Sequence, residues 1–269
     1  MNVFRLELKN TWKSTLIWAV SLSMIIIVLL AFFPAMQTES MKGLAGIKME
    51  GLDPALLEAL GLSELTDFTV LTNYFGYILQ YINLAIMVYV TLVAVNSLVK
   101  EETEGTIEFL YSKPVARTSI VFWKTLANIC SFLMLLVVLW LVTVLGYLSF
   151  SDYNPAESVR EATIFYAAIL YAGLIFMAVG VLLSAVLKSS KGASGMTMAI
   201  VFGTFGLGIM GVVIEDLDFL FYLSPLDWIK TQKLMTEGIR RQEWLVGTVV
   251  ILAGHIGAHI IYQRKDLRA

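Results

Sequence analysis

Val99–Lys124 reads VKEETEGTIEFLYSKPVARTSIVFWK and is the one long charged interruption between two strongly apolar runs. Glu101, Glu104 and Glu108 recur three and then four residues apart, the spacing that stacks side chains on one face of a helix, while Ile107, Leu110 and Tyr111 fall on another side. Ser112-Lys113-Pro114 stops that helix, because proline disfavours a helical residue before it and itself suits the first turn of a new one. The stretch predicts a short helix over Glu101 to Tyr111, acidic on one face and apolar on the other, crossing a membrane surface between two spans. Residues 99–124 are then a coupling loop.

Composition agrees with a chain that lives in lipid. Of 269 residues, 58% are hydrophobic and 15% charged, with a mean hydropathy of +0.78, far more apolar than an ordinary soluble domain. The expected fold is all-α and integral to the membrane, a single domain with six transmembrane helices. A net charge of −2 offers no basic surface for nucleic acid. The single Cys130 lies inside an apolar run, where it reads as a small packing residue, and one cysteine supports no disulfide within the chain.

Upstream of the loop, Arg5, Lys9 and Lys13 stand four residues apart beside Phe4, Leu8 and Trp12 at the same spacing. That double stripe predicts an amphipathic interfacial helix lying in the membrane plane, with lipid headgroups as its partners. It leads into a first span over residues 16–34, too long an apolar run for a cleaved signal peptide. Residues 35–73 form a polar connection in which DPALLEALG, opened by Asp53-Pro54 and closed by Gly61, predicts a short outer helix. The second span, 74–98, is the most polar; Tyr77, Gln80, Met87 and Thr91 share one narrow face that is a candidate path for cargo. Interhelical hydrogen bonding is the plain alternative for the same stripe, since a buried amide needs a partner in lipid.

Downstream, spans are expected at 126–150, 164–187, 193–214 and 245–262. The fifth carries Gly195, Ala199 and Gly203 at four-residue intervals, a pattern that lets helix backbones approach closely, against another span or a second subunit. Residues 215–243 are too short and charged for a further span and predict an outer-surface or re-entrant hairpin. His255 and His259 lie one turn apart, but with no cysteine or carboxylate near them in sequence they read as packed histidines rather than half a metal site.

With both termini, the 99–124 loop and Lys188–Gly192 inside, 12 of the 19 basic residues are cytoplasmic, and the outer segments hold 7 basic and 15 acidic residues. The positive-inside rule favours that orientation. No Asp, Glu, Lys or Arg falls inside the expected spans, which argues against a voltage sensor or a carboxylate proton relay.

The pattern E-x-x-E-G-T-x-E-x-L-x-S-x-P-V-x-R, read from Glu101 to Arg117 and followed by Lys124, resembles the inner loop of type-2 ATP-binding-cassette exporter permeases, most of all bacterial six-span subunits of the bacitracin-exporter and sodium-exporter kind. The likeness extends to the Glu7/Lys9 start, Gly76-Tyr77, Ser224-Pro225 and the closing Arg264-Lys265-Asp266-Leu267. It implies that the loop docks a separate ATPase through Glu101, Glu104, Gly105, Thr106, Glu108, Leu110, Pro114 and Arg117. It also implies two ATPases beneath two permease subunits, alike or related, with the second and fifth spans bordering the path. ATP and magnesium would then belong to the partner, since this chain has no G-x-x-x-x-G-K-[ST] phosphate loop and no cofactor site of its own. Relatives of this kind sit in the bacterial plasma membrane and export peptide antibiotics, drugs, lipid-linked molecules or ions. A path offering amide, Tyr and Met but no carboxylate favours an amphiphilic or peptide-like cargo over sodium. The rival readings are an intramembrane enzyme, which lacks any catalytic constellation in the spans, and a sensor or assembly partner that uses the same docking loop without transport.

Overall fold

The computed structural model describes residues 3–39, 68–105, 116–150 and 154–265. Every regular element among them is helical. In chain order they are α1 (Val3–Ala31), α2 (Phe33–Met36), α3 (Leu71–Thr103), α4 (Arg117–Leu148), α5 (Pro155–Val186), α6 (Ala193–Val213), α7 (Pro225–Trp228), α8 (Thr231–Thr236) and α9 (Arg241–Arg264). Six of them, α1, α3, α4, α5, α6 and α9, are long and apolar enough to cross a membrane. Helices answer the problem such sequences pose, because lipid satisfies no backbone N–H or C=O and the segment must do so itself. The chain is a multi-pass, all-α integral membrane protein.

The helices outrun the apolar stretches that announce them. No glycine or proline interrupts Val3–Ala31, so the basic start and the first span form one continuous helix rather than an in-plane helix followed by a span. Its Glu7 turns inward instead of lying at a surface. At the far end of α3, Glu101 belongs to the last turn of the span. The helix closes with Glu104 as C-cap and Gly105 at φ 67°, the left-handed geometry that glycine takes at no steric cost. The short acidic helix expected to begin at Glu101 therefore does not: Glu101 and Glu104 finish α3, and residues 106–115 lie outside the described ones. Likewise α4 starts at Arg117, placing Lys124 within its first turns, and α5 starts on a Pro155 capped by the Asn154 side chain, which accepts from Ala156 N at 2.9 Å.

Burial ranks the spans. In their most apolar windows α3 is 72% and α5 67% buried, against 17% for α6 and α9, so α3 and α5 form the centre and the others surround them. α3 and α5 approach closely at Gly180, where a Cβ would lie 2.6 Å from that of Ala94 and 3.2 Å from Thr91 O. On the other side of α5, Gly254 of α9 sits so near Ala178 that a Cβ would meet its carbonyl oxygen at 2.8 Å. α1 packs chiefly along α4, with Leu22, Ile26 and Leu30 buried, while Ile17, Met24 and Ile27 on its other side are exposed as expected of a lipid-facing surface.

After α6 the chain folds back on itself. A 3-10 stretch, Glu215–Leu223, is broken at Leu217, and α7 and α8 follow. The segment lies against the last turns of α6: a Cβ at Gly211 would be 2.8 Å from Phe221 N, and one at Gly208 only 1.6 Å from Asp227 Oδ2. Asp227 is buried, with Oδ2 accepting from Ser224 Oγ at 2.5 Å and Oδ1 2.5 Å from Lys230 Nζ. Thr231 reaches α3, donating to Gly76 O at 3.3 Å. The hairpin closes on Glu243, whose fully buried carboxylate takes Lys233 at 2.5 Å and Arg240 at 2.8 Å and caps α9 through Arg240 N. Burial pushes the Lys233 ammonium below the usual lysine range, with Glu243 opposing it.

The candidate coupling end and the face of α3

One end of the bundle gathers the start of α1, the end of α3, the start of α4, the end of α5, the turn at Ser190–Gly192 and the end of α9. Polar ties join them. Lys265 Nζ, after α9, donates to Glu102 Oε1 of α3 at 2.7 Å and to Leu187 O after α5 at 2.5 Å. Arg117 at the start of α4 donates through Nη1 to Gln263 O at 3.2 Å and Lys265 O at 2.9 Å. Ser184 Oγ of α5 accepts from Leu98 N and Val99 N of α3 at 2.8 and 3.1 Å, and Thr103 Oγ1 accepts from Ser190 N at 2.8 Å.

At the centre of this end stands Lys124. Its ammonium, 2% exposed, lies 3.1 Å from Glu7 Oε2 of α1, bonds to Glu101 Oε1 of α3 and donates to Ser97 O. Two carboxylates and one lysine from three helices thus share a site almost without water, where Coulomb attraction is strong and an unmatched charge expensive. Lys124, Asn128 and Ser131 follow at helical spacing on one face of α4, and Ser131 Oγ meets Thr11 Oγ1 of α1 at 3.0 Å. Asn128 lies between these two ties, buried, with neither side-chain heteroatom hydrogen-bonded among the described residues.

The sequence-derived coupling residues fall on both sides of the described boundary. Glu101 is turned into the bundle, Glu104 is exposed beside Lys100 at 3.8 Å, Gly105 ends α3, and Arg117 holds the end of α9. Thr106, Glu108, Leu110 and Pro114 lie outside the described residues. The stripe on α3 divides in two. Tyr77 and Gln80 are half-buried; the Tyr77 ring stands 5.3 Å from Phe68 and 5.4 Å from Tyr81, and its hydroxyl accepts from Tyr81 at 3.2 Å. Met87 and Thr91 are wholly buried, and the Thr91 hydroxyl returns to Met87 O at 2.7 Å. On α6, Gly195, Ala199 and Gly203 are exposed, and a Cβ at Gly195 or Gly203 would meet nothing within 4 Å. The histidines of α9 bond within their own helix, His255 Nδ1 to Ile251 O at 2.8 Å and His259 Nδ1 to His255 O at 3.0 Å.

The chain that forms this six-span bundle is matched by a family profile described as ABC-2 family transporter protein, over residues 1–263. The chain belongs to the ABC-2 transporter family. No curated protein matches it. Members of the family are membrane components of ATP-binding-cassette transporters and not their ATPases, so this permease works with an ATP-binding partner. Its end ties were only partly foreseeable. Glu7 is the lone acid in a basic stripe and Lys124 opens an i, i+4, i+7 polar series, which marks each as inward-facing without naming the other.

Proposed function

We propose that this permease exports an amphiphilic or peptide-like molecule, of the antibiotic, drug or lipid-linked class, from a bacterial cell, like the bacitracin-exporter kind it resembles. In this reading the end holding Lys124 is cytoplasmic. The stretch from Glu101 to Arg117 docks the ATPase, with Glu104 and Glu108 as its acidic contacts for a basic-rimmed groove. Two permeases stand over two ATPases, which carry ATP and magnesium. The observation that carries the reading is the junction itself: the charged link leaves α3 and enters α4 where those two helices are tied to α1, α5 and α9, so a push on it reaches nearly the whole bundle.

Two features support the finer parts. The exposed Gly195, Ala199 and Gly203 face of α6 suits close approach by a second permease. The aromatic group of Phe68, Tyr77 and Tyr81, with Gln80 on the same face of α3, offers flat apolar surface and hydroxyls but no fixed charge, which suits an amphiphile better than a bare cation. ATP-driven closure would shift α3 and α6 between inward-open and outward-open packings.

The test is copurification from native membranes. Wild-type permease is expected to bring down an ATPase with a phosphate loop, and the double variant Glu104→Lys, Glu108→Lys to lose it while inserting normally. Equal recovery from both would remove the acidic contacts from the account, and no ATPase with either would remove the transporter.

A further inference from the structure

The Lys124 site sets two carboxyl groups, Glu7 and Glu101, against one ammonium. Glu101 and Lys124 alone make a neutral, part-buried pair, tying α3 to α4 across 23 residues of chain. Glu7 brings a second carboxylate, 7% exposed, with no cation of its own in the site. Lys100 on α3 adds only a weak attraction to Glu7, being exposed and paired with Glu104. Nor does α1 need that contact to stay in place, for it lies along α4 through Leu22, Ile26, Leu30 and the Thr11–Ser131 hydrogen bond. Between α1 and α3 the described side-chain ties are the Trp18–Tyr89 ring contact at 5.8 Å, Thr15 Oγ1 with Tyr89 OH at 2.7 Å, Tyr74 OH to Leu29 O at 2.8 Å, and the bridge through Lys124. Of these, the last lies at the end where the link enters.

A shared cation couples its two anions, because whichever carboxylate moves, the ammonium follows or leaves one of them buried and unmatched. The groups around it allow the ammonium to travel. Ser97 Oγ, on the residue whose carbonyl takes the ammonium, Thr125 Oγ1 next to Lys124 in sequence and both heteroatoms of Asn128 one turn further along α4 are buried and lack partners among the described residues.

We infer that Glu7 is a positioning residue for coupling: by sharing Lys124 with Glu101 it makes the start of α1 move together with the end of α3 when the ATPase acts. The inference rests on the proposed function and adds to it that α1, packed on the outside of the bundle, is driven rather than passive. Asn128 offers Lys124 polar atoms to slide past as the three helices shift together.

Glu7→Gln separates this role from a structural one. It leaves the neutral Glu101–Lys124 pair, so the permease should fold, keep its ATPase and melt no lower than wild type. Spin labels at Lys9→Cys on α1 and Lys100→Cys on α3, in a Cys130→Ala background reconstituted with the ATPase, report their separation with and without magnesium ATP trapped by vanadate. A second pair, Lys100→Cys with Met198→Cys on α6, reports whether α3 moves at all. The expected result is a second distance that changes on trapping in both proteins, and a first distance that holds steady in wild type and shifts or broadens in Glu7→Gln. A steady first distance in Glu7→Gln, or a lower melting temperature as its sole effect, would overturn the inference. A second distance that never changes in wild type would overturn the transport reading and the inference with it.

Discussion

The two ends of the bundle are both rich in buried charge and use it differently. Where the link enters, ion pairs join helices far apart in sequence: Lys265 reaches Glu102 across 163 residues, and Lys124 joins α1, α3 and α4. At the opposite end the ion pairs among the described residues are local. Lys233 and Arg240 reach Glu243 across ten and three residues, and Lys230 reaches Asp227 across three, so the charges hold a folded-back hairpin in shape and barely bind one span to another. Charge that ties separate spans passes a displacement on, and charge that ties neighbours keeps it in one place. The proposed function assigns force transmission to the first end, while the second is a hairpin seated on α6, α3 and α9.

The largest effect is expected where the hairpin meets its seat. Gly208→Leu would drive a side chain into Asp227 and Ser224, adding overpacking of about 1–3 kcal/mol to the loss of a buried ion pair. Folded permease recovered in detergent should fall sharply, and normal recovery would show that the hairpin is not seated as described. Next, Lys265→Met leaves Glu102 buried without its cation, a loss of roughly 3 kcal/mol. Hydrogen exchange should then rise at the ends of α3, α5 and α9 together, whereas Glu243→Gln should raise it only within residues 215–244. Equal spread from both variants would erase the contrast between the ends. Smallest for the single chain is Gly203→Leu, which enters open space and should change protomer stability by less than about 0.5 kcal/mol. On the proposed pairing of two permeases its consequence belongs to assembly: a shift from dimer to monomer in light scattering is expected, and an unchanged oligomeric state would remove this face from the proposed contact.

The sequence made the spans plain and left their ends obscure, for a physical reason. Hydropathy marks the part of a helix that lipid must cover, but a helix stops where capping residues stop it. Glu101 and Lys124 therefore read as loop by hydropathy although they sit on α3 and α4. The stop signals themselves were legible, in Gly105 after Glu104 and in Asn154-Pro155. Reading Arg5, Lys9 and Lys13 as an in-plane stripe missed that Glu7 points to the core, because the partner that draws it inward is a residue of α4 and no local spacing reveals it. The glycines of α6 show the same limit. Their interval signals close packing, yet within the protomer that role falls to Gly180 and Gly254, while Gly195 and Gly203 face outward. On α3, the period that aligns Tyr77 with Thr91 is real, but the depth at which α5 covers it is a property of the bundle.

The most direct test of the account places a photo-crosslinking residue at Glu104, exposed at the end of α3, and in a second protein at Glu237, exposed in the hairpin. After illumination of native membranes, the account predicts that Glu104 captures an ATP-binding subunit carrying a phosphate loop and that Glu237 captures none. Capture of that subunit from Glu237, with none from Glu104, would contradict it by putting the ATPase at the wrong end of the bundle.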